Sequence, residues 1–100
     1  MKTEVSKQDM NLDSLITEFL EHLEIEKGYS SLTVRVYRHY LKRFYDWLGE
    51  NSSITKPEDI DLELIRRYRL YLAHFRNRNR AHLKRITQSY YIIALRAFLR

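Results

Sequence analysis

Residues 64–100 contain no aspartate or glutamate, yet they carry Arg66, Arg67, Arg69, Arg76, Arg78, Arg80, Lys84, Arg85, Arg96 and Arg100. A one-signed run of this kind raises a positive potential over part of the surface and needs a counter-charge. All but Lys84 are arginines, whose planar forks suit phosphate oxygens and guanine edges better than lysine does. A second set of cations follows helical spacing further upstream: Arg35, Arg38, His39 and Lys42, with Arg43 on their flank and no acid until Asp46. The first 28 residues run the other way, at net −4, so residues 29–100 hold +9 and recover the total of +5. A basic body with an acidic first segment points to a nucleic-acid partner, with one face turned elsewhere.

The elements that must hold these residues follow from composition and period. One hundred residues support one domain with a modest core. Hydrophobic residues make up 44% and aromatics 13%, outside the range of disordered chains. Two glycines and one proline favour long helices with few turns over a many-stranded sheet. The chain has no cysteine, which excludes a disulfide framework and thiol-ligated zinc. No apolar run approaches a membrane span and residues 1–11 do not look like a signal peptide, so a soluble, cytoplasmic protein without membrane association is expected.

Residues 1–10 read as a flexible tail and residues 11–100 as a single all-α domain, a compact four-helix bundle. In the first helix Leu12, Leu15, Ile16, Phe19, Leu20 and Leu23 recur at helical spacing, with Asn11 as N-cap and Gly28 as C′ residue. Its other faces carry Asp13, Glu18, Glu21 and Glu24. A serine cap at Tyr29-Ser30-Ser31 opens the second helix, which Gly49 is expected to end. On it Thr33, Tyr37, Leu41, Phe44 and Leu48 fall within one arc of roughly 80°, opposite the basic stripe. Thr55-Lys56-Pro57-Glu58 fits a capping box with a single helical turn. Asp61 can cap a third helix with Leu64, Ile65, Tyr68, Tyr71, Leu72 and Phe75 inward and Arg66 and Arg69 outward. Residues 76–85 read as an exposed cationic loop. The fourth helix begins near Ile86-Thr87 and is apolar almost all round, which predicts a place in the middle of the bundle. No stop signal follows Leu99-Arg100, so the natural protein is expected to continue.

Four segments in this order resemble the N-terminal core-binding domain, the SAM-like helical domain, of phage-integrase and Xer-type tyrosine recombinases. Leu15-Ile16…Phe19-Leu20…Leu23…Gly28-Tyr29-Ser30 is similar to the family's F-x-x-x-L-x-x-x-x-G-x-S opening. Ser30…Thr33…Tyr37…Leu41…Phe44…Trp47-Leu48 resembles its second segment, S-x-x-T-x-x-x-Y-x-x-x-L-x-x-F-x-x-W-L. Ile60…Ile65…Tyr68…Leu72 and Thr87…Ile93-Ala94-Leu95-Arg96-Ala97-Phe98-Leu99 supply the third and fourth. The resemblance implies an orthogonal four-helix integrase N-terminal domain that closes around double-stranded DNA together with a separate C-terminal catalytic domain. It also implies contacts with other recombinase subunits assembled on DNA. The family's catalytic set lies in that C-terminal domain, which this chain does not contain, so strand exchange is implied only for the parent protein and no catalytic residue is assigned here.

Charge and resemblance together single out Arg35, Arg38, Lys42, Arg78, Arg80, Lys84, Arg85, Thr87 and Gln88 as the DNA-facing set. Arg96 joins them, although it can equally tie the bundle together through backbone carbonyls. His82-Leu83-Lys84-Arg85 spells H-x-x-R, a fragment of the catalytic signature, and reads as a chance match. Most of the tyrosines read as residues on or beside core faces. His22, His39, His74 and His82 are too scattered to form a ligand pair, so no metal is expected, nor any cofactor or small-molecule ligand. Two other functions stay open: a SAM-like protein-interaction module, and a helix-turn-helix regulator. The latter needs a turn of about 3–4 residues between its two helices, which only residues 27–31 offer.

Overall fold

The computed structural model describes residues 11–76 and 79–100. The tail expected over residues 1–10, and the role expected of Arg78, lie outside the described residues. Helix α1 spans Leu12–Ile25, and its N-terminus is closed by the Asn11 side chain, which accepts from the Ser14 N–H at 2.8 Å. Leu12, Ile16, Leu20 and Leu23 are its buried stripe. Past the helix the chain reverses at Gly28, whose φ of 70° lies in the left-handed region that costs glycine least. The reversal lets the Tyr29 N–H reach back to the Leu23 carbonyl at 3.0 Å.

Ser30 then caps α2, Ser31–Asn51, by accepting from the Thr33 N–H at 3.1 Å. Two expectations for this helix change. Thr33 is exposed, with its hydroxyl bonded to Ser30, and Val34 is buried instead. Gly49 does not end the helix either, which runs on to Asn51 and closes where the Ser52 N–H meets the Leu48 carbonyl. Glycine tolerates helical dihedrals at a cost of about 1 kcal/mol, and the burial of Trp47 and Leu48 just before it holds the backbone in place.

A short 3-10 turn, Pro57–Asp59, follows, but its N-cap is Lys56 and no side chain caps it, so the expected capping box does not form. Helix α3 spans Leu62–His74 and is capped by Asp61, which accepts from the Leu64 N–H at 2.8 Å. Helix α4, Arg85–Leu99, begins one residue earlier than the sequence pattern suggests. Between α3 and α4 the backbones of Arg76 and His82 pair in one antiparallel bridge that draws the loop closed.

The order is α1–α2–α3–α4, with α2 packed on both α1 and α4, and α4 also on α3. Leu41, Phe44, Tyr68, Leu72 and Leu95 are fully buried in one core, with Tyr37 and Phe98 packed half-buried against it. Phe44, Trp47 and Tyr68 stack within 4.9–6.2 Å of one another, centroid to centroid. The Tyr68 hydroxyl inside this cluster has no hydrogen-bond partner among the described residues. The α4 expectation holds in part: the helix lies between α2 and α3, but Ile86, Tyr90 and Ile93 are exposed. The helices packed against it cannot cover all its sides, and the side facing away from them stays open. Among the described residues no helix is long and apolar enough to cross a membrane.

Candidate nucleic-acid interface

The structure sorts the cations into two kinds. On α2, Arg35 and Arg38 are exposed, and neither has an ion-pair or hydrogen-bond partner among the described residues. Lys42 is also exposed but bonds to Asp46 at 2.9 Å one turn on. Exposed pairs of this kind stabilise by at most about 1 kcal/mol, so Lys42 is bound loosely. Arg43, only one residue along, is a structural side chain. Its Nε donates to the Tyr91 hydroxyl at 3.1 Å, and its guanidinium lies 4.1 Å from the centre of the Phe75 ring. Burial works against its charge, but hydrogen bonds with Tyr91 and Tyr71 outweigh that and hold its pKa above the usual arginine value. The Tyr91 hydroxyl also meets His39 Nε2 at 3.0 Å. Arg43 can only donate, so the Tyr91 oxygen accepts from it, and the three residues together bind α2 to α4.

The loop and the start of α4 supply the second set. Arg80, Lys84 and Arg85 are exposed and, among the described residues, without side-chain partners. Arg80 stands at φ 61°, the one described non-glycine residue with positive φ, a conformation that costs an arginine on the order of 1 kcal/mol or more. Helix α4 has no side-chain cap and no acid in its first turn. Cations at the positive end of a helix dipole oppose the usual preference, at about 0.3–1 kcal/mol each. Uncapped N–H groups, a strained arginine and misplaced cations all favour an arriving anion.

A third feature lies between α3 and α4. A groove of about 410 Å³ is lined by Arg69, Arg85, Gln88, Ser89 and Arg96 over Leu72, Ile92 and Ile93. No residue of α2 takes part, so the groove is distinct from the Arg35–Arg38 stripe. Gln88 is half-buried, and its amide donates to the Leu83 carbonyl at 3.0 Å, which holds the loop against α4. Thr87 is half-buried beside it. Arg96 is exposed and makes no hydrogen bond to a carbonyl among the described residues, so the bundle-tying reading gains no support.

Residues 16–100 match the family described as phage integrase, N-terminal SAM-like domain. The chain belongs to this family. A stretch of 54 residues, 54% of this chain, is 39% identical to tyrosine recombinase XerD of Staphylococcus aureus. The same length is 37% identical to tyrosine recombinase XerD of Staphylococcus epidermidis. In both cases the match covers 18% of the relative's length. No solved structure matches the chain.

Within this integrase domain the structure brings Arg85, Gln88 and Arg96 together and keeps Arg35, Arg38 and Lys42 apart from them. It adds Arg69, which sequence reasoning placed outward on α3 but did not assign to a site. The only signal for Arg69 was its place in the acid-free run. Arg66, one turn away on the same helix, is instead paired with Glu63 at 3.5 Å. Arg67 leans over Trp47 and reaches the Asn51 carbonyl.

Proposed function

We propose that this domain binds double-stranded DNA by its phosphates, as the N-terminal part of a tyrosine recombinase whose strand-cutting chemistry resides in a separate catalytic domain. The observation that carries the reading is the division of cations. Arg43 and Arg67 are tied to protein groups, and Arg66, like Lys42, is paired loosely with an exposed acid. Arg35, Arg38, Arg80, Lys84 and Arg85 are exposed and tied to none among the described residues. A free guanidinium gives up only water to meet a phosphate, whereas a tied one must first break a bond. Family membership and the name of the staphylococcal relatives supply the recombinase part of the proposal. The exposed acids of α1, Glu21 and Glu24 among them, repel phosphates and suit a neighbouring recombinase subunit instead.

Binding of a short duplex, followed by fluorescence anisotropy at several salt concentrations, tests this. Five phosphate contacts give a log–log salt slope of about −4.5, and sequence preference is small because phosphates position rather than specify. Arg35→Ala with Arg38→Ala flattens the slope by about 1.8, and Arg66→Ala leaves it unchanged. Equal losses at Arg66 and at the Arg35/Arg38 pair, or a slope near zero, refute the proposal.

A further inference from the structure

The groove between α3 and α4 has four properties that act together. Its rim is three guanidiniums, Arg69 from α3 and Arg85 and Arg96 from α4, with no acid in the lining. None of the three has an ion-pair partner among the described residues. Its floor is apolar, with Leu72, Ile92 and Ile93 below the charges. Ile93 remains 53% exposed, a large apolar side chain left open beside unneutralised arginines.

The spacing states what kind of anion fits. Arg85 and Arg96 are eleven residues apart, which places them within about 20° of one another on the helix and about 17 Å apart along it. Like charges lined up this way on one helix face are held there by the fold. An extended anion engages both arginines and Arg69 opposite, while a single phosphate meets one end. The apolar floor adds a second demand, since the ligand must offer carbon between its charges. A nucleic-acid strand does so, with sugar carbons alternating with phosphates. Next to Arg85 in sequence stands Lys84, and the strained Arg80 lies in the loop before them.

We infer that the α3/α4 groove is a second backbone track: Arg69, Arg85 and Arg96 hold phosphates spaced along a DNA strand while the exposed Ile93 packs against its sugars. This rests on the DNA-binding reading and extends it to a residue, Arg69, and a surface that the α2 stripe does not include. The α2 stripe and the groove share no residue, so the domain grips DNA at two separate lines of charge.

The test uses the whole chain, a short duplex and the same salt series. With Arg69 and Arg96 added to the five contacts above, the wild-type slope steepens to about −6. Arg69→Ala with Arg96→Ala flattens it by about 1.8 and lowers affinity on the order of tenfold per arginine at 0.1 M salt. Both side chains are exposed, and an unchanged melting curve checks that the fold is intact. If this pair keeps the wild-type slope while Arg35→Ala with Arg38→Ala flattens it, the groove inference fails and the DNA-binding reading stands. If neither pair changes a slope near zero, both fail. Self-association without DNA that Arg69→Ala with Arg96→Ala abolishes, at unchanged slope, assigns the groove to an acidic face of a second copy and overturns the inference.

Discussion

Replacing Tyr91 by phenylalanine separates scaffold from interface at the α2–α4 junction. Tyr91 is 3% exposed, and its hydroxyl joins Arg43 Nε at 3.1 Å to His39 Nε2 at 3.0 Å. The substitution keeps the ring, and with it the stacking on Tyr40 at 4.5 Å and the contact with the Arg43 guanidinium. What it removes is the hydrogen bonding. A bond to a charged donor contributes about 1.5–3 kcal/mol net. Arg43 is half-buried, remains over the Phe75 ring and still has the Tyr71 hydroxyl, so the low end applies: a loss of about 1–2 kcal/mol. In a domain of this size that lowers Tm by about 4–8 °C per kcal/mol. The assay is thermal and urea unfolding of Tyr91→Phe, Arg43→Ala and the double variant, with a coupling energy of about 1 kcal/mol expected between the two sites. DNA binding by the folded Tyr91→Phe protein keeps the wild-type salt slope, because Arg43 is a strut rather than a phosphate ligand. A Tm within about 1 °C of wild type, or a slope flattened by about 0.9 in Arg43→Ala, refutes the assignment.

Two further outcomes follow from groups held at a cost. Burial, reinforced by neighbouring Tyr91, pushes the Tyr68 phenol well above its ordinary pKa, and its hydroxyl lacks a partner. The folded state therefore keeps the proton that the unfolded state releases near pH 10. Stability is complete below about pH 10 and falls as pH rises beyond it. Tyr68→Phe weakens that alkaline loss and stabilises the protein at neutral pH by about 1 kcal/mol, since no bond is lost and the stranded hydroxyl is gone; urea midpoints at pH 7 and pH 10.5 read both. Arg80→Gly relieves the positive φ, so unfolding should show stability unchanged or raised by up to about 1 kcal/mol. The same change should flatten the DNA salt slope by about 0.9; a substantial loss of stability would show that φ was not strained.

Much of this domain is written locally in its sequence. The caps at Asn11, Ser30 and Asp61 are bonds between residues three apart, and the stripes of α1 and α3 are apolar periods within single helices, so neither needs a distant partner to be read. The same local character explains the errors. Gly49 carries a stop signal that buried Trp47 and Leu48 override, and Thr55–Glu58 carries a cap pattern that the connection does not use.

What tertiary structure decided is which charges are free. Arg35 and Arg43 both belong to the polar side of α2 by period, but only Arg43 meets Tyr91, 48 residues further on. Arg69 joins Arg85 and Arg96 only because α3 packs against α4. Helical period tells how a side chain leaves its own helix. It does not tell what stands across from it, and for an arginine that neighbour decides between holding the fold and remaining open to a phosphate.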